Sequence, residues 1–237
     1  MTEKSAVLFK KSTQYGQILV RNELENGEWV RYLRVNERPE SAMYCDPEKL
    51  NELVFPYMRY FVYALSARPE IRRTLLIGGG GFAYPRYYLE HYPDREITVA
   101  EISPDIVEIS RQWFGLKKLE AQKDRFQLWE GNGFSKLAAS EEKFDLIIND
   151  AFQGGRSIGR RGGDTACIAE HLNPGGIYMV NVITAEKGLF SLPGKLFASS
   201  VRNVLPYTIL LGCGQDDPQI RPTNSQNCLL LASDREL

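Results

Sequence analysis

The sequence predicts an α/β protein built on a doubly wound, mostly parallel sheet, and three observations predict it. From Thr74 to Asn181, short apolar strand candidates alternate with helix candidates. Some of these strands are near-continuous apolar runs, such as Leu146-Ile147-Ile148, the pattern of a parallel sheet covered on both faces. The first of them ends in four consecutive glycines, Gly78 to Gly81, directly before a helix-compatible segment. Glycine permits the tight strand-to-helix turn that such sheets use at their carboxyl ends.

The 237 residues, 43% of them hydrophobic, suffice for one domain with a full core plus a small appendage. Residues up to about Pro39 read as extended. Gln17 to Val20 and Trp29 to Val35 are β-prone runs separated by Asn26-Gly27, a hairpin signature. From Asp46 a helix is expected. Asp46 suits the N-cap, Pro47 the first helical position, and Leu50, Leu53, Val54, Met58, Phe61, Val62 and Leu65 supply the apolar recurrence. Pro56 should kink it.

Strands then follow at 74–77, 97–100, 126–129, 144–149 and 177–181, with helices between them near 83–91, 104–113, 134–139 and 164–172. Residues 207–211 and 227–232, joined by a polar, proline-containing loop, read as an antiparallel pair closing the sheet.

Ligands of such sheets sit beyond the carboxyl ends of the strands, where strand order reverses. Four strand ends carry glycine or polar residues there: Gly78, Gly79, Gly80 and Gly81; Glu101 followed by Ile102; Gly131-Asn132-Gly133; and Asn149-Asp150. Each alone reads as an ordinary turn or helix cap, but together they converge on one cleft. The glycines let backbone N–H groups approach a ligand, and an acid about 20 residues on is placed to accept from ribose hydroxyls. This points to an adenosine-containing cofactor. Asn132 could meet an adenine edge, since its amide both donates and accepts. Asp150 ends a very apolar strand, where a carboxylate is costly without a partner or a task. Gly78-x-Gly80-x-x-Ala83 also fits the dinucleotide fingerprint, which keeps a nicotinamide cofactor open.

Charge and composition exclude several classes. A net charge of −1 provides no bulk attraction to nucleic acid or an anionic membrane. No apolar run approaches the ~18 residues of a membrane span, and the first residues lack a signal-peptide core. Cys45, Cys167, Cys213 and Cys228 lack CxxC spacing, and with two histidines neither a metal site nor a Cys-His nucleophile is suggested. They read as small buried groups in a reducing cytoplasm.

The succession LLIGGGG, VAEISPDIVEISRQWFG, DRFQLWEGNGFSKL and FDLIINDAF resembles spermidine synthases and their spermidine-synthase-like relatives. The N-terminal TQYGQILVRN and RYLRVNERPES stretches and the final NCLLLAS are similar too, so the resemblance covers nearly the whole chain. It implies a β-hairpin domain over residues 1–45 and a methyltransferase-type Rossmann fold with a seven-stranded sheet over 46–237. It also implies a homodimer formed through the hairpin domain, and an S-adenosyl sulfonium ligand in place of a nicotinamide. The absence of a Tyr-x-x-x-Lys pair agrees.

By that resemblance Gly78 to Gly81, Glu101, Ile102, Asn132, Gly133 and Asp150 hold the nucleotide. Glu101 matches the ribose-binding acid, and Asn132 stands where the family usually has an adenine-contacting Asp. Asp150 matches the acid that deprotonates the attacking amine. The departures carry weight as well. The glycine turn of the family ends in an Asp that holds the ammonium of decarboxylated S-adenosylmethionine, and here that position is Gly81. The second, amine-binding Asp is Gln153, and the amine-tunnel residues are unrecognisable in RPES and ELVFPY. Arg156, Arg160 and Arg161 crowd the loop after Asp150, either as a solvated surface loop or as a grip for an anionic substrate. These residues favour methyl transfer from S-adenosylmethionine to a neutral or anionic small molecule. The alternatives are aminopropyl transfer to a polyamine and a non-catalytic nucleotide-binding or scaffold protein.

Overall fold

Asn26 and Gly27, both at positive φ (49° and 84°), turn the chain between two long strands, as the hairpin signature predicts. The computed structural model describes residues 6–153, 156, 157, 159, 162–214 and 219–237. It extends that hairpin to a four-stranded antiparallel sheet of β1 (Ala6–Thr13), β2 (Gly16–Glu25), β3 (Glu28–Val35) and β4 (Arg38–Tyr44), in sequence order. Its alternating apolar residues Ile18, Val20, Leu33 and Met43 are buried against Ile109 and Phe114, which come from the larger sheet's helical layer.

The helix expected from Asp46 does not begin there. Residues 46–55 form turns, and the Asp46 carboxylate accepts from the Glu48 N–H. Pro56 opens a 3-10 helix (Pro56–Phe61) that passes into α1 (Val62–Ala67). Proline has no N–H to donate and its ring collides with the carbonyl four residues back, so it starts the helix where a kink was expected.

The second sheet follows the predicted alternation. It runs through β5 (Arg73–Ile77), α2 (Ala83–His91), β6 (Glu96–Glu101), α3 (Pro104–Trp113), α4 (Leu116–Glu120), β7 (Phe126–Glu130), α5 (Gly133–Ala138) and β8 (Phe144–Asn149). The two-residue strands β9 (Phe152–Gln153) and β10 (Arg156–Ser157) pair with each other, and α6 (Gly162–Glu170) leads to β11 (Leu172–Thr184). A 3-10 turn (Leu189–Ser191), α7 (Leu192–Arg202), β12 (Tyr207–Gly212) and β13 (Gln226–Ser233) complete the chain. Neither α4 nor α7 is signalled by the patterns above. α7 is amphipathic, and it buries Phe197, Ala198 and Val201 against the sheet.

Strand order is β12-β13-β11-β8-β5-β6-β7, with β13 antiparallel to both neighbours and β11, β8, β5, β6 and β7 parallel. Order reverses between β5 and β8, the position at which this class of sheet opens a ligand crevice. Each face carries its own core. Leu76, Ile148, Met179 and Leu229 face the 3-10 helix, α1 and α2, while Leu75, Ile147, Val180 and Leu230 face α6 and α7. No helix among the described residues is long and apolar enough to cross a membrane, and no cluster among them could hold a metal ion.

Candidate active site

The glycine turn and Asp150 meet where the strand order reverses. The Asp150 N–H donates to Ile77 O (2.9 Å), and the Gly78 N–H donates to Ala100 O (2.9 Å). Gly78, at φ 99°, passes so close that a Cβ there would stand 2.9 Å from the Asp150 carbonyl. Only glycine meets both the angle and the approach.

Glu101, at the tip of β6, is 5% exposed and holds this turn in place. Its Oε2 accepts from the N–H groups of Gly79 (3.0 Å) and Gly80 (2.9 Å), and its Oε1 accepts from Ser103 N–H (2.9 Å). Burial pushes its carboxyl above the ordinary value, and these N–H bonds oppose that rise. The expected ribose acceptor is therefore also the tie of the glycine turn. Asn132 is the N-cap of α5, its Oδ1 accepting from Ser135 N–H at 3.1 Å, while its side chain remains exposed. The following Gly133 is buried so closely on β5 and β6 that a Cβ would stand 2.8 Å from Ile77 Cγ2. Ile102 presents an exposed apolar side chain beside Glu101.

Asp150 is held from two sides. Tyr57, second residue of the 3-10 helix, donates its hydroxyl to Oδ2 at 2.8 Å, and Asn181 of β11 donates Nδ2 to Oδ1 at 2.8 Å. Burial pushes the Asp150 carboxyl up to about 7; the bonds from Asn181 and Tyr57 oppose the rise, and the charge of Glu40 adds to it. Burial and the Asp150 charge together raise Tyr57 well above an ordinary phenol, so it stays a donor.

β4 supplies a third acid. Glu40 is raised by desolvation, lowered by Arg38 and raised again by Glu101, so its carboxylate shares the field of both other acids. Its carbonyl lies 3.6 Å from where a Cβ on Gly80 would stand. The neighbouring Ser41 explains the glycine at position 81, since a Cβ there would lie 2.6 Å from Ser41 Oγ. Gly81 is further pinned by buried Arg86, whose Nη1 donates to the carbonyls of Gly81 (2.6 Å) and Phe114 (2.8 Å).

Gly78 to Gly81, Glu101 and Asp150 are thus brought together at one candidate site, with Ile102, Asn132 and Gly133 on neighbouring strand ends. Gln153 and Arg156 are register partners on the β9–β10 ladder, and Arg160 and Arg161 lie outside the described residues. The sequence reading missed Tyr57, Glu40, Ser41 and Asn181. Asn181 had a signal, because it interrupts the apolar run of β11 as Asp150 ends that of β8. Tyr57 and Glu40 stand in the two segments set aside as unrecognisable.

The spermine/spermidine synthase domain matches the chain over residues 57–181, more than half its length. The chain belongs to that family. Among relatives of this spermidine-synthase-like protein, a polyamine aminopropyltransferase of Yersinia pestis (strain Pestoides F) is 29% identical over 177 residues, covering 73% of the chain and 56% of the relative. The chain therefore spans little more than half the length of such curated relatives.

Two solved structures share the fold. A probable spermidine synthase from Corynebacterium glutamicum superposes with TM-score 0.75 at 20% identity, over 100% of this chain and 82% of that one. A spermidine synthase in complex with the transition-state analogue AdoDATO superposes with TM-score 0.67 at 15% identity, over 97% and 72%. The family-like expectation and the α/β fold with its seven-stranded sheet stand on these findings.

Proposed function

We propose that the protein transfers an aminopropyl group from decarboxylated S-adenosylmethionine to an amine. The observation that carries this reading is the meeting of Asp150 and Glu101 at one glycine turn, with Glu40 of β4 lying against the same turn. The sequence reading placed methyl transfer first because Gly81 offers no carboxylate to the ammonium of the decarboxylated donor. Glu40 answers that objection, since it brings an acid to the same turn from the other sheet. Family membership and the names of the relatives support the same choice.

The residues suit the donor's nucleoside. Glu101 would meet the ribose hydroxyls from the tip of β6, Asn132 would offer its Nδ2 to adenine, and Ile102 would provide apolar surface beside it. A bound sulfonium would supply an activated carbon and a neutral thioether leaving group. The chain's part is to orient and to accept a proton. A neutral amine attacks that carbon, the C–S bond breaks with its electron pair moving to sulfur, and the new ammonium passes its proton to Asp150. Tyr57 and Asn181 hold the two Asp150 oxygens in place for that transfer.

Methyl transfer remains the second reading, favoured by one observation: Ser41 and Phe114 crowd the space that a carboxylate side chain at position 81 would enter. Calorimetry separates the two. Wild-type protein is expected to bind decarboxylated S-adenosylmethionine at least tenfold more tightly than S-adenosylmethionine, and Glu40→Gln is expected to erase that preference. The opposite order in the wild type, with no methylthioadenosine formed from the decarboxylated donor and putrescine, would return methyl transfer to first place.

A further inference from the structure

We infer that Asn227 is a positioning residue for the proton acceptor, fixing which end of the Asn181 amide faces Asp150. The inference rests on the reading of Asp150 as that acceptor. Asn227 lies on β13, beyond the stretch that matches the family. The register partner of Asn181 is Leu229, so Asn227, two residues earlier, stands diagonally across on the same face of the sheet. Its Nδ2 donates to Asn181 Oδ1 at 3.0 Å, and Asn181 Nδ2 donates to Asp150 Oδ1 at 2.8 Å. The four side chains Asn227, Asn181, Asp150 and Tyr57 thus form one hydrogen-bonded line across β13, β11, the residue after β8 and the 3-10 helix.

The direction of that line carries the chemistry. An amide donates from one end and accepts at the other, while an ionised carboxylate only accepts. Asn181 supports the Asp150 anion only with Nδ2 turned toward it. Turned over, it would present Oδ1, which pairs with the protonated acid alone. With its Nδ2 on Oδ1, Asn227 is paired with the anion-supporting orientation of Asn181. Asp150 is faced by Tyr57 from the 3-10 helix, Glu40 from β4, Asn181 from β11 and Cys213 after β12. Of these, Asn181 is the amide, with its donor and its acceptor on separate atoms, so that turning it over exchanges one for the other.

The competing account is a cross-strand pair that merely joins β11 to β13. Titration of the Asp150 carboxyl in the full chain, followed by carboxyl-carbon NMR without donor or acceptor, distinguishes them. Asn227→Leu, or the milder Asn227→Ser, is expected to raise the Asp150 midpoint by about half to one pH unit. Asn181→Leu should raise it by about one unit, and adding the Asn227 change to that variant should then move it no further. An unchanged midpoint in a folded Asn227 variant would overturn the inference. So would an equal shift with and without Asn181. Because this readout needs no turnover, a protein with the expected shifts but no aminopropyl transfer would refute the proposed reaction and leave the positioning role intact.

Discussion

Asp150 is a carboxyl that folding holds closer to its neutral form than water does. Because desolvation raises it to about 7, its anion accumulates only as pH passes that value. With donor and amine both saturating, kcat should therefore climb with pH and level off above about 7, and Asp150→Asn should lower it by roughly 100-fold or more at the plateau. Stability runs the other way. A native value above the unfolded one favours folding in full below about pH 4, and that contribution is lost as pH rises through about 7. Melting temperatures of the wild type should fall between pH 5 and 8, with a flatter course for Asp150→Asn; parallel curves would refute the assignment. Glu101 ties the glycine turn and is the proposed ribose acceptor, and its removal should show both. Glu101→Ala loses bonds worth about 1.5–3 kcal/mol each to charged groups, so the melting point should drop and calorimetry should show nucleoside affinity weakened by at least tenfold. Full affinity in a folded Glu101→Ala protein would place the ribose elsewhere.

At the scale of single elements, the 3-10 helix at Pro56 sets the angle of Tyr57. A 3-10 helix advances about 120° per residue and an α-helix about 100°, so rewinding the five steps from Tyr57 to Val62 as α would turn the phenol by about 100°. Tyr57→Phe is expected to raise the Asp150 midpoint by about one unit through the lost donor. A midpoint unmoved in Tyr57→Phe would show that the hydroxyl does not support the anion.

The same segment shows where sequence legibility ended. The glycine turn, α2, α3 and β8 were readable because their signals are local: period, caps and apolar runs within ten residues. So were Glu101 and Asp150, acids at the ends of apolar strands. Residues 46–55 carry helical periodicity without forming a helix, because Leu50, Val54 and Phe55 pack against the small sheet while Leu53 joins the core of the large one, and Arg86 Nε donates to the Leu50 carbonyl. Glu40, Tyr57 and Asn227 were hidden for a different reason. Each joins Asp150 or its neighbours across 46 to 110 residues of sequence, and pairing at that range is a product of tertiary structure alone.

For the molecule as a whole, the two sheets share a core, and both border the candidate site. Ile109 and Phe114 complete the interior of the small sheet, the Arg31 guanidinium lies 5.5 Å from the Trp113 ring and donates to its carbonyl, and β4 lends Glu40 and Ser41 to the glycine turn. Unfolding should therefore be one transition. Single-tryptophan variants retaining Trp29 in the small sheet or Trp129 in the large one should report the same melting temperature, and an earlier Trp29 transition would show that the small sheet melts on its own. The shared core has a further consequence, for the chain during synthesis. β1 to β4 leave the ribosome with Ile18, Val20, Leu33 and Met43 ready to pack, yet their partner Phe114 is encoded about 70 codons after Met43. At about 5–20 residues per second, that is an interval of roughly 4–14 s in which the nascent sheet shows an apolar face with nothing to cover it.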